Sequence, residues 1–236
     1  MSGRHQAAEP CGGGPDLAPP RGRPPDRPGA GAAAERGALM RTVCVYCGSG
    51  FGTDPVFREA ARALGHSLAE AGIGLVYGGG NVGLMGTVAR AVLDAGGHVT
   101  GIIPDFLKSR ERMLDDVQET IVVPDMHTRK RLMFDRSDAF VALPGGIGTL
   151  EELVEQMTWA QLGQHAKPIL LLSVAGFWAP LLALLDHMRA KGFIREGLDL
   201  NYLVAERPEA VVGMLESALR AHPPRPEADA LIEERF

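Results

Sequence analysis

The chain has 236 residues, an apolar fraction of 45% and a formal net charge of −5 with acidic and basic residues interspersed. That size and composition suit one α/β domain with tails, and the mixed charge gives no electrostatic ground for nucleic acid or an anionic membrane as a partner. No apolar run reaches the roughly 18 residues of a membrane-spanning helix, so no membrane association is expected.

Residues 1–38 are dense in Gly, Pro, Ala and Arg and lack the apolar stretch of a secretory signal. They cannot bury enough surface to offset their ordering entropy, so a disordered extension is predicted. From Arg41 onward, apolar runs near 42–47, 73–77, 98–103, 138–143 and 168–172 read as strands. Helical spacing of apolar residues follows near 55–71, 84–95, 127–136, 149–162, 177–190 and 208–220. Asp54-Pro55 and Pro208-Glu209 mark helix starts, while Gly72, Gly96 and Gly192 mark helix ends. This alternation predicts an α/β fold, one domain over 39–221 built as an open parallel sheet with helices on both faces. Residues 222–236, with Pro223, Pro224 and Pro226, are predicted to form an irregular tail.

The first strand ends in Cys47-Gly48-Ser49-Gly50. Cys44 and Cys47 form a Cys-x-x-Cys, but residues three apart on a strand point to opposite faces and no second Cys or His pair completes a metal site. So few thiols without a pairing pattern fit a reducing cytoplasm. The second strand runs into Gly78-Gly79-Gly80-Asn81-Val82-Gly83, a formal match to the dinucleotide fingerprint. The next strand lacks the acidic residue that would hold a ribose, since Asp105 comes only after Pro104, so nicotinamide or flavin binding is disfavoured.

Asp125-Met126-His127-Thr128-Arg129-Lys130-Arg131 concentrates cations on a helix that leads into the strand before Pro144-Gly145-Gly146-Ile147-Gly148-Thr149. A guanidinium grips a phosphate bidentately and an ammonium acts as a point charge, so Arg129 and Lys130 are the candidates of interest. Arg131 reads as a solvated face, and His127 as a cap or surface group. The Pro-Gly-Gly loop reads as a phosphate cradle, because glycine backbone and unpaired helix N–H groups favour an anion. Thr149-x-x-Glu152 is also a capping box, with the Thr149 hydroxyl accepting from the residue 152 N–H. Glu151 and Glu152 point about 100° apart on a helix. With Leu150, Leu153, Val154 and Met157 marking the buried stripe, Glu152 is assigned to the crevice and Glu151 to solvent.

Three motifs together, Gly78-Gly-Gly-x-x-Gly-Leu-Met-Gly86, Met126-His-Thr-Arg-Lys130 and Pro144-Gly-Gly-Ile-Gly-Thr-Leu-Glu-Glu152, resemble the Lonely Guy family over about residues 41–220. These are cytokinin riboside 5′-monophosphate phosphoribohydrolases, with bacterial relatives that act on AMP. The resemblance implies a Rossmann-like domain, a cytoplasmic homodimer or larger homo-oligomer, and hydrolysis of a purine nucleoside 5′-monophosphate to free base and ribose 5-phosphate. It implies no cofactor and no metal. The family's essential arginine and glutamate fall on Arg129 and Glu152. Its nucleotide contacts fall on Glu111, Lys130, Gly146, Ile147, Gly148, Thr149 and Thr158, with Ser49, Gly79, Gly80 and Gly145 nearby. This chain departs from the common pattern at Gly50, Thr128 and Ser109. Some relatives carry the label lysine decarboxylase, but no pyridoxal-binding pattern surrounds Lys108, Lys130, Lys167 or Lys191. A non-catalytic nucleotide or cofactor carrier on the same fold is the alternative, and a carrier need not keep the Arg129 and Glu152 pair.

Overall fold

Strand β1 (Thr42–Tyr46) lies at the centre of a seven-stranded parallel sheet of order β4-β3-β2-β1-β5-β6-β7. It pairs with β2 (Gly74–Tyr77) on one side and with β5 (Ala139–Ala142) on the other. The remaining strands are β3 (Val99–Pro104), β4 (Glu119–Val123), β6 (Ile169–Leu172) and β7 (Leu203–Ala205). The structure is a computed structural model that describes residues 40–108, 114, 116–194 and 200–221. The readings for residues 1–38, for Glu111 and for the tail at 222–236 lie outside the described residues.

Alternation along the strands divides the core in two. Val43 and Val45 of β1 pack beneath α1 (Pro55–Glu70), α2 (Gly83–Asp94) and α6 (Val211–Ala221). Cys44 and Tyr46 face the other layer, with α3 (Met126–Asp135), α4 (Ile147–Gln161) and α5 (Ala179–Ala190). Each large apolar side chain fully buried in these layers contributes roughly 1.5–3 kcal/mol. The same alternation separates Cys44 from Cys47, which are free, buried and in different layers. Among the described residues, no helix is long and apolar enough to cross a membrane.

Two strands are additional to the five read from the sequence. β4 is an edge strand paired only with β3, and its Glu119-Thr120-Ile121-Val122-Val123 leaves alternate residues exposed, so its apolar run is only three residues long. β7 has only three residues, too few for a periodicity signal. The strand preceding the Pro-Gly-Gly loop is therefore the fifth. Helix starts follow local chemistry where a side chain caps them, as Asp54 accepts from the Val56 N–H at 2.9 Å and Asp125 from the Thr128 N–H at 2.7 Å.

Candidate active site

Strands β2 to β4 extend the sheet in one direction from β1, and β5 to β7 in the other. The connections leaving β1 and β5 thus diverge to opposite faces and open a crevice at the strands' carboxyl ends. The loops after β1 and β5 meet there. Gly48 N donates to Pro144 O at 3.1 Å, and a Cβ on Gly48 would lie 3.3 Å from Gly145 Cα. The loop after β2 joins them, as Leu84 N donates to Gly48 O at 3.0 Å. Gly79 turns that loop with φ +82°, a left-handed conformation that favours glycine. The glycine-rich loops are therefore in mutual contact, as expected for one ligand approached by several backbones.

Helix α4 begins two residues earlier than the sequence suggests. Its N-cap is Gly146, in extended conformation, and no side chain caps it. The Thr149 and Glu152 capping box does not form. Thr149 is buried inside the first turn with its hydroxyl against Gly145, where a Cβ would collide with it. The first i→i−4 bond runs from Leu150 N to Gly146 O at 3.0 Å, so the amides of Ile147, Gly148 and Thr149 precede the hydrogen-bonded ladder. No side chain covers these amides, the arrangement at a helix start that favours an anion.

Arg129 and Glu152 enter this crevice from two helices. Arg129 is 7% exposed, Nη2 donates to Gly78 O at 3.2 Å, and Nε is buried without a partner. Gly78 owes its identity to this contact, because a Cβ would occupy the position of Arg129 Nη2. Glu152 is half-buried one helical turn into α4. Burial pushes its carboxyl up to about 7, with the Arg129 charge opposing the rise. A carboxylate poised near neutrality suits proton transfer. If ionised Glu152 is the active form, kcat/KM should rise with pH along an acid limb of apparent pKa near 7. A limb near 4.5, the ordinary carboxyl value, would show that burial does not raise the carboxyl that controls the rate.

The other expected site residues separate. Gly145, Gly146, Ile147, Gly148 and Thr149 make the turn into α4, while Gly79 and Gly80 are buried in the loop after β2, with Gly79 against Ile103 of β3. Ser49 is exposed at the rim, where a Cβ on Gly83 would strike its carbonyl. His127 is exposed on the first turn of α3. Lys130 is buried, but its Nζ sits 2.6 Å from Glu151 and 2.9 Å from Glu155, so Glu151 is exposed yet ion-paired rather than left to solvent. The i, i+4 spacing of those two glutamates was the available signal for a shared partner. Thr158 is exposed on α4, with Oγ1 donating to Val154 O at 2.7 Å. It lies nine residues from Thr149, about 14 Å along the helix.

A family model described as "possible lysine decarboxylase" matches residues 85–215. A probable cytokinin riboside 5′-monophosphate phosphoribohydrolase of Oryza sativa subsp. japonica is 49% identical over 195 residues, covering 82% of this chain and 86% of that protein. A cytokinin riboside 5′-monophosphate phosphoribohydrolase of Arabidopsis thaliana is 53% identical over 183 residues, covering 78% of this chain and 85% of that protein. The chain belongs to the Lonely Guy family. A molybdenum cofactor binding protein of Rippkaea orientalis, at 24% identity and TM-score 0.58, covers 76% of this Lonely Guy chain and 97% of its own, a likeness of fold. The decarboxylase description does not suit the lysine nearest the crevice. A Schiff-base lysine must reach a neutral amine, whereas the carboxylates of Glu151 and Glu155 outweigh burial and hold Lys130 above its ordinary value.

Proposed function

We propose that this Lonely Guy protein hydrolyses the N-glycosidic bond of purine nucleoside 5′-monophosphates, of cytokinin type or AMP, to free base and ribose 5-phosphate. The observation that carries it is the buried Arg129 guanidinium, with Nε unpaired, in the same crevice as the burial-shifted Glu152. The 5′-phosphate rests on the free amides of Ile147, Gly148 and Thr149. Arg129 Nε donates to the nucleotide and orients it for departure of the base. As the bond breaks, its electron pair leaves with the base and positive charge develops at C1′. Glu152 stabilises that charge and takes a proton from the water that attacks C1′. The base, carrying the electron pair, takes up the proton that Glu152 removed from the water, which returns Glu152 to its ionised form and leaves ribose 5-phosphate.

The protein acts as a cytoplasmic homodimer or larger homo-oligomer on this reading. Ile147 is 81% exposed, Val154 42% and Leu162 66%, an apolar stripe on α4 that a second copy would cover. Thr158 shares that exposed side, so its expected nucleotide contact is made across the subunit contact. The carrier alternative has no observation of its own beyond likeness of fold.

The test is a screen of base release from AMP, GMP, CMP and prenylated AMP, followed by chromatography. Release from the adenine nucleotides is expected, with purines preferred over CMP. Absence of release from all four would overturn the hydrolase, and a tight stoichiometric ligand retained through purification without turnover would establish the carrier.

A further inference from the structure

We propose that Lys130 is a positioning residue whose ammonium bridges Glu151 and Glu155, locks α3 to α4 and balances two carboxylates beside Glu152, rather than a ligand of the 5′-phosphate. This rests on Glu152 being the reacting carboxylate.

Neighbours on a helix diverge by about 100°, and the site uses that divergence twice. On α3, Arg129 turns to the Gly78 carbonyl while Lys130 turns to α4. On α4, Glu151 and Glu155 stack one turn apart toward Lys130. Glu152 is left to face the crevice. The two adjacent pairs are thereby sorted into a strut and a reacting couple, and the strut sets the separation of the couple.

The phosphate role fails on chemistry. Lys130 Nζ has three N–H donors, and acceptors at 2.6 and 2.9 Å take two of them. Its side chain is only 11% exposed. Lys130, Glu151 and Glu155 sum to one negative charge, so a phosphate dianion brought to this ammonium would also meet two carboxylates. Glu155 Oε2 is buried without a hydrogen-bond partner, which makes Lys130 the compensation for that charge.

The charged and titratable groups that act on Glu152 electrostatically are Arg129 and Lys130 from α3, Glu151 and Glu155 from α4, and Cys44, Tyr46 and Cys47 at β1. Burial pushes those two thiols and the phenol up, keeping them neutral across the working range. The charge on Glu152 is therefore set first by burial and then by two cations against two carboxylates. Deleting Lys130 alone leaves Glu151 and Glu155 unbalanced and makes Glu152 harder to ionise. Deleting all three charges leaves Arg129 facing Glu152.

The variants are Lys130→Met, Lys130→Arg and the triple Lys130→Met, Glu151→Gln, Glu155→Gln. Lys130→Met should bind ribose 5-phosphate within about threefold of the parent protein, lose about fivefold in kcat at pH 7, and shift the acid limb up by about one unit. Lys130→Arg should keep the limb near its original place, and the triple variant, which removes a net negative charge, should bring it back to that place or below it. Should Lys130→Met not fold, the triple variant carries the comparison, since it leaves no unpaired carboxylate. A tenfold or greater loss of affinity for ribose 5-phosphate in the triple variant, with ribose binding unchanged, would overturn the proposal and make the ammonium a phosphate ligand. The Glu152 titration is also read directly by 13C NMR in the ligand-free protein. Failure of base release by the parent protein would sink the hydrolase reading, whereas an unmoved Glu152 titration in Lys130→Met would sink the charge balance.

Discussion

Glu152→Gln is expected to lower kcat for base release by about three orders of magnitude while making the ligand-free protein more stable at pH 8. The amide keeps the size and the helix position but can neither take a proton nor oppose positive charge at C1′. Stability moves the other way because burial raises the carboxyl from 4.5 to about 7. The fold prefers protonated Glu152, so that contribution is full below pH 4.5 and is lost as pH rises through about 7. Above that, the parent protein holds an ionised carboxylate at a cost the glutamine lacks, on the order of 1–3 kcal/mol. Thermal melts at pH 5 and pH 8 check this, since the variant's advantage should be several times larger at the higher value. Ribose 5-phosphate should still bind, as the amides of residues 147–149 are untouched. Near-normal turnover by Glu152→Gln would remove the carboxylate from the mechanism.

Arg129→Ala is expected to cost about 10²- to 10³-fold in kcat/KM, and Gly78→Ala to move in the same direction with the arginine still present. The guanidinium is buried, held by the Gly78 carbonyl at 3.2 Å and packed where a side chain at position 78 would otherwise sit. A methyl group there must displace Nη2, and the displaced fork no longer presents Nε to the nucleotide. Arg129→Lys should not restore activity, because an ammonium carries its donors on one nitrogen and cannot reproduce the planar fork that holds the Gly78 carbonyl and the nucleotide on separate nitrogens. Steady-state rates checked against circular dichroism separate this from unfolding. If Gly78→Ala kept full activity in a folded protein, the placement of the guanidinium by Gly78 would be refuted.

The central strands were legible because each is an apolar run buried on both faces, and β1, β2, β3, β5 and β6 all appear where such runs occur. β4 was hidden by its half-exposed edge position and β7 by its length. The start of α4 was misplaced for a different reason. A Thr and Glu three apart carry a local capping signal, yet the helix is entered from Gly146 because the Pro144 carbonyl is tied to Gly48 across the crevice. The tertiary contact, not the local cap, accompanies the observed helix start. Thr158 shows the limit of carrying over a residue's role from a resemblance, since its neighbours on the exposed side of α4 are visible only in three dimensions.

By itself, the sequence determined the alternating α/β architecture, the glycine loops, and Arg129 and Glu152 as the groups of interest, because periodicity, glycine clusters and motif spacing are local properties. The tertiary structure decided which charges meet. It gave Lys130 to Glu151 and Glu155, left Arg129 Nε unpaired, and buried Glu152 enough to bring its carboxyl near neutrality. Ion pairing and desolvation depend on distances between segments far apart in the chain, here the 21 residues from Lys130 to Glu151, and only the packing of α3 against α4 sets them.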